Sequence, residues 1–176
     1  MDDIQVVPYD PAWPAQYRAE RERLARALGP QLLEIEHIGS TAVPGLQAKP
    51  ILDLMAAVPD IEDVGDLVAR LGELGYLLTD AGMRGRLFLR RAGPPAVHLH
   101  VVGHDSWAGR KERLMRDHLR AHPEDLRRYG ALKDRLAPEY RHDGPGYTRA
   151  KTALIQEIMD RARAERGLPP VDVWEE

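Results

Sequence analysis

The sequence contains no cysteine. Disulfides, thiolate metal sites and cysteine nucleophiles are therefore excluded, and the redox compartment is left open. No apolar run approaches the roughly 20 residues that a membrane span requires. The opening MDDIQVV has neither the basic start nor the apolar stretch of a secretory leader, so a cytoplasmic location is the default expectation. A strong charge of one sign is also missing: the net charge of −3 does not mark a nucleic-acid binder. There is no internal repeat, no linker long and polar enough to demand two independent domains, and no G-x-x-x-x-G-K-[ST] phosphate loop. What is present is a chain of 176 residues, 43% hydrophobic and 30% charged. That composition describes a globular domain with a sizeable core.

Charge is unevenly distributed. Residues 1–104 carry a net −4, residues 105–166 a net +4 and the last ten a net −3. A moderately basic C-terminal half attracts phosphate-bearing ligands, although a solvated, arginine-rich helix surface gives the same count.

The pattern mixes strands and helices up to about residue 104 and is helical afterwards. IQVV (4–7) reads as a short extended lead-in. Asp10-Pro11 reads as a capped helix start, with Trp13, Tyr17, Leu24 and Leu28 near one face and Gly29-Pro30 as the stop. Residues 32–37 suit a strand, 38–50 are turn-rich, and ILDLMAAV (51–58) is as apolar as a strand buried on both faces. Asp60 is placed to cap a helix running to Gly75. Residues 76–78, 86–91 and 96–102 suit further strands, the last two joined through AGPP. Helices are expected over 107–121, from Pro123 past Leu136, and over 147–166, with the Pro-rich tail 167–176 extended or loosely attached. The fold expected is α+β (α/β), a mixed sheet core over about 30–104 with flanking helices and a helical portion over about 105–166, forming a single domain.

The residues with chemical potential fall in three groups. In HIGST (37–41), a strand runs into a Gly-Ser turn. Gly39 permits close backbone approach, Ser40 and Thr41 offer hydroxyls, and exposed N–H groups there favour phosphate; a plain helix-turn cap has the same form. Asp53 interrupts an apolar strand, where a carboxylate must be paired, hydrogen-bonded or metal-bound. It shares a strand face with Met55, and Lys49 is either its partner or a phosphate ligand. In VHLHV, His98 and His100 point to one face; with Asp53 on a neighbouring strand they compose a two-histidine, one-carboxylate set, while a hydrogen-bonded pair is the plainer reading. His37 is a further candidate, or a structural histidine. Lys133 and Lys151 lie on the apolar sides of their helices, so each either snorkels or faces a polar cavity. Arg116 pairs with Asp117 or reaches a phosphate.

HIGSTAVPGLQAKPILDLM (37–55) resembles the signature of the GrpB family. VVPYDPAWPAQY, ELGYLL, HLHVV and the long stretch LMRDHLRAHPEDLRRYGALKDRLAPEYRHDGPGYTRAKTALIQEI resemble it too, so the resemblance covers about Val6 to Ala164. It implies a nucleotidyltransferase-like fold, in which a Gly-Ser turn holds nucleotide phosphates and carboxylates hold divalent ions. Gly39 and Ser40 match the turn, and Asp53 matches the first carboxylate. Met55 stands where a second is usual, and the third has no clear match, His98 or His100 occupying a plausible strand. The resemblance therefore implies a catalytic and metal-binding set Asp53, His98 and His100 with magnesium, manganese or zinc. The phosphate-binding set would be Gly39, Ser40, Thr41, Lys49, Arg116, Lys133 and Lys151. The ligand implied is a nucleotide or phosphorylated small molecule, to be transferred or, because of Met55, only bound. The family is also linked by name and fusion to dephospho-CoA kinase, which implies a coenzyme A-related ligand or a protein partner.

Overall fold

A computed structural model describes residues 3–174. Among them are a five-stranded mixed sheet and six α-helices, a mixed α/β fold as expected. No helix among the described residues is long and apolar enough to cross a membrane.

The chain divides into two interleaved units. One, the sheet unit, comprises Pro11–Ile38 and Ile51–Arg110; the other, the helical unit, gathers residues 3–10, Gly39–Pro50 and residues 111–174. The turn-rich segment of the signature thus leaves the sheet after the first strand and returns at the second.

In the sheet unit, β1 (Glu34–Ile38), β2 (Ile51–Val58), β3 (Leu77–Leu78), β4 (Leu87–Arg91) and β5 (Ala96–Gly103) take the order β1-β2-β5-β4-β3. The β2–β5 pair is parallel and the other pairs are antiparallel. Central β2 and β5 are the longest and most apolar strands, because both of their faces are covered. On one face, Leu52, Leu54, Ala56, Val97, Leu99 and Val101 are fully buried. Helix α1 (Trp13–Leu28) lies on this side: Tyr17 stacks on His37 at 4.9 Å and donates to the Ile35 carbonyl. Helix α2 (Gly65–Glu73) packs beside α1, and Arg70 donates to the Ala27 carbonyl. The opposite face carries a smaller apolar cluster, Ile38, Met55, Ala57 and Val102, closed by Trp107.

In the helical unit, α3 (Lys111–Ala121), α4 (Pro123–Glu139), α5 (Gly144–Ala150) and α6 (Thr152–Ala164) surround buried clusters. Val43 and Leu46 of the signature segment pack with Leu119, Tyr129 and Ile158. Val7 and Ala48 form an isolated antiparallel bridge.

Several local expectations are corrected. Helix α1 is capped by Ala12, with Pro14 in its first turn, rather than by Asp10. Asp60 accepts the Glu62 N–H in a local turn, and α2 starts only at Gly65; this competing short-range bond is the usual behaviour of aspartate before a helix. The helix expected over 107–121 is a 3-10 turn, His104–Gly109, followed by α3. The helix expected over 147–166 is broken at Lys151, which ends α5 and starts α6. The tail is tied down up to Trp174. Lys111 donates to the Val173 carbonyl, Val173 N–H donates to Gln156, Trp174 Nε1 donates to Thr152 Oγ1, and Val173 is buried against Leu114, Met159 and Ala162. Residues 175 and 176 lie outside the described chain.

Candidate functional site

The sheet unit presents one polar patch, on the face opposite α1. Parallel pairing sets Asp53 beside His98 and Met55 beside His100, so the alternation read in the sequence holds in space. Asp53 Oδ1 lies 3.4 Å from His98 Nδ1, and both side chains are partly exposed, at 30% and 24%. His100 is turned to Arg86, whose Nη1 is 3.3 Å from its Nδ1. A guanidinium only donates, so this nitrogen accepts and the ring proton resides on Nε2. Phe88 contacts both imidazoles, edge-on to His98 at 5.2 Å and tilted against His100 at 4.9 Å. Met55 is 0% exposed, inside the cluster closed by Trp107. His37 faces the other way, onto Tyr17.

One carboxylate of this face was not visible from spacing along β2. Glu36 of β1 lies opposite Met55 in the antiparallel register, on the same face as Asp53 and half-buried. The face therefore carries an acidic residue one strand away from the position that Met55 occupies.

The helical unit holds the other predicted residues. Gly39 has φ 71° and starts a 3-10 turn over Ser40–Ala42; this backbone conformation favours glycine. Ser40 is half-buried, while Thr41 is buried and turned inward. Arg120 of α3 donates to the Ala42 carbonyl at 2.9 Å, closing the end of the turn. The same segment continues to Gln47, whose amide donates to Asp134 and whose carbonyl accepts from Lys133 Nζ, both at 2.5 Å. Lys133 is buried and also lies 5.1 Å from the centre of the Tyr129 ring. Lys151 and Lys49 lie 4.2 Å and 5.8 Å from the centre of the Tyr147 ring, within range for an ammonium to feel the ring quadrupole. Tyr147 itself is 1% exposed, and its hydroxyl has no hydrogen-bond partner among the described residues. Burial, then the neighbouring Tyr129 and Asp134, push its ionisation well above the ordinary tyrosine range. The hydroxyl therefore keeps its proton and is able to donate to an acceptor. Lys49, Lys133 and Lys151 thus gather around two tyrosines of one unit. Arg116 is buried along α3 with its Nε on Asp117 Oδ1 at 2.9 Å.

A sequence model described as "GrpB protein" matches residues 3–161. The chain belongs to the GrpB family. A UPF0157 protein of Pseudomonas aeruginosa is 40% identical over 178 residues, covering 97% of this GrpB chain and 72% of that one. The crystal structure of the conserved protein GrpB from Enterococcus faecalis superposes with a TM-score of 0.84 at 32% identity, covering 93% of this chain and 99% of that one. A Mycolicibacterium paratuberculosis protein named dephospho-CoA kinase is 30% identical over 191 residues, which is 90% of this chain and 46% of that one.

Proposed function

We propose that this GrpB protein binds a phosphorylated small molecule, a nucleotide or a coenzyme A-related metabolite, at the lysine–tyrosine cluster of its helical unit. The observation that carries this reading is Tyr147: a buried hydroxyl kept protonated and without a hydrogen-bond partner among the described residues, on a ring that lies near Lys49 and Lys151. A phosphate oxygen satisfies such a donor, and ammonium groups supply the countercharge. The Gly-Ser turn, in the same unit, offers backbone N–H groups of the kind that cradle anions. The relative named dephospho-CoA kinase supports the coenzyme A side of the ligand class.

The test is a thermal-shift screen with nucleotides, coenzyme A precursors and inorganic phosphate, each with and without magnesium, manganese and zinc. A ligand present at about 100 times its Kd stabilises the fold by roughly 2.7 kcal/mol. The expected result is a shift that does not require metal and is lost in both Lys49→Gln and Lys151→Gln. No shift with any of these ligands, or one that both variants retain, refutes the reading.

The second reading is metal-dependent nucleotidyl transfer, favoured by the in-register Asp53–His98 pair. A carboxylate oxygen and an imidazole nitrogen 3.4 Å apart fit one divalent ion, which would neutralise charge on a phosphoryl oxygen. Asp53 and His98 would hold it. The apolar burial of Met55 fits no second ion beside the first. Metal-dependent transfer of a nucleotide label, abolished by Asp53→Asn, is the result this reading requires.

A further inference from the structure

A second cluster of ligand-type side chains lies in the helical unit. His118 in the last turn of α3, His122 at the start of α4 and Glu165 at the end of α6 each present one ligand atom, and these atoms lie within 4.8 Å of one another. We propose that His118, His122 and Glu165 form a binding site for a transition-metal ion, with zinc the ion their donor set suits best.

The hydrogen bonds fix which atoms are available. His118 is 4% exposed, and its Nε2 lies 2.7 Å from Asp125 Oδ2. A carboxylate only accepts, so Nε2 carries the proton and the lone pair is left on Nδ1. That Nδ1 is buried with no hydrogen-bond partner among the described residues, 3.8 Å from Glu165 Oε2. His122 is oriented in the complementary sense. Its Nδ1 donates to the His118 backbone carbonyl at 2.9 Å, which leaves the lone pair on Nε2. His122 Nε2 is 2.9 Å from Glu165 Oε1. Two lone pairs do not face each other at that distance unless a cation stands between them. The cation is either a second proton on the ring or a metal ion.

The surroundings favour the metal. Metal-bound histidines are held through their other nitrogen by a carboxylate or a backbone carbonyl, and Asp125 and the His118 carbonyl occupy those two places. Asp125 is itself fixed by Arg161 and Arg128. Nitrogen and carboxylate donors suit zinc, whose bonds of about 2.0–2.2 Å require ligand atoms some 3.3–3.6 Å apart in a tetrahedron. The two rings are stacked at 3.9 Å with planes 10° apart, so they must tilt toward a common ion. His122, the more exposed ring at 37% of its side chain, is the one placed to do so. Three protein ligands leave the fourth position to water or another donor. The site would clip the ends of α3 and α6 to the start of α4.

The experiment uses the full chain, stripped with chelator and titrated with zinc chloride in a calorimeter, and with cobalt(II) as a spectroscopic probe. The variants are His122→Ala, Glu165→Ala and Asp53→Ala. The first two residues are at the rim, so circular dichroism checks that the fold is kept. The expected result is one equivalent of zinc in the parent chain and in Asp53→Ala, at least tenfold weaker binding in each rim variant, and cobalt bands lost in both. Absence of zinc binding overturns the proposal. So does zinc binding left intact by both rim variants, including the case in which it disappears only in Asp53→Ala, which would move the metal to the sheet unit.

Discussion

Two tyrosines make opposite predictions under the same substitution. Tyr76 is buried in the sheet unit, with its hydroxyl 2.6 Å from Glu20 Oε1, and Glu20 also receives Arg91 Nη2 at 3.0 Å. Burial first, and then the Glu20 carboxylate, push the Tyr76 ionisation far above the ordinary range, so the hydroxyl is a permanent donor to a buried anion. Hydrogen bonds to charged groups contribute about 1.5–3 kcal/mol, and removing one partner leaves the other short. Tyr76→Phe should therefore lower stability by about 2 kcal/mol, or about 4–8 °C in Tm for a chain of this length. Tyr147 is equally buried, but its hydroxyl has no partner among the described residues. An unmade hydrogen bond of this kind costs about 1–3 kcal/mol, so Tyr147→Phe should stabilise the ligand-free protein by about 1 kcal/mol, or roughly 2–4 °C. Neither substitution changes charge at neutral pH, because both hydroxyls are protonated. Urea unfolding and scanning calorimetry of the two variants beside the parent are the assay. A fall in stability for Tyr147→Phe larger than about 1 kcal/mol would show that the hydroxyl is already satisfied, and would remove the main support for a phosphate ligand at that ring. With ligand present the gain of Tyr147→Phe should shrink, because the lost donor weakens binding.

Other outcomes follow from single positions. Met55→Glu puts a charge into the cluster of Ile38, Ala57, Val102 and Trp107, and an uncompensated buried charge costs about 3–5 kcal/mol; a variant with parental Tm and new manganese binding would show that this position can host a second carboxylate after all. Asp125 is buried, and burial by itself raises its ionisation, but the His118 hydrogen bond and the Arg161 charge outweigh it and hold the carboxyl below its ordinary 3.8. A depressed folded value means that its stabilisation is complete above the unfolded value and is lost as pH falls through the folded one. The stability advantage of the parent over Asp125→Asn, followed by urea unfolding from pH 7 to pH 2, should thus hold near neutrality and shrink below about 3.8; an advantage unchanged at the acid end would contradict the ion-pair account.

What the sequence disclosed depended on range. β2 was legible to the residue because eight successive apolar-rich positions leave a buried strand as the economical reading, and the shared face of Asp53 and Met55 follows from strand alternation alone. The pairing of Asp53 with His98 needed the parallel register of β2 and β5, which no local pattern encodes. Glu36 and Arg86 escaped notice for the same reason, since their relation to Met55 and His100 runs across strands. The break at Lys151 is silent because the apolar spacing from Tyr147 to Ala162 continues through it, yet Lys151 still reaches the Tyr147 ring. His118 and His122 stand four apart in HLRAH, a helical spacing that suggests a shared ligand; Glu165 joins them only through the packing of α3 with α6. Arg120 reads as one more surface arginine until its bond to the Ala42 carbonyl is seen.

The interleaving of the two units sets an order on their completion as the chain emerges during synthesis. Gly39–Pro50 is made early, between two strands of the sheet, but Val43 and Leu46 meet Leu119 and Tyr129 only after more than seventy further residues, and Ile158 only after more than a hundred. Contacts so distant in sequence form slowly, because a long loop must close before they are rewarded. Until then Val43 and Leu46 lack the helical partners that bury them. A message truncated near Arg110 would leave them so permanently, and the product would be a substrate for chaperones and proteases rather than a small folded domain.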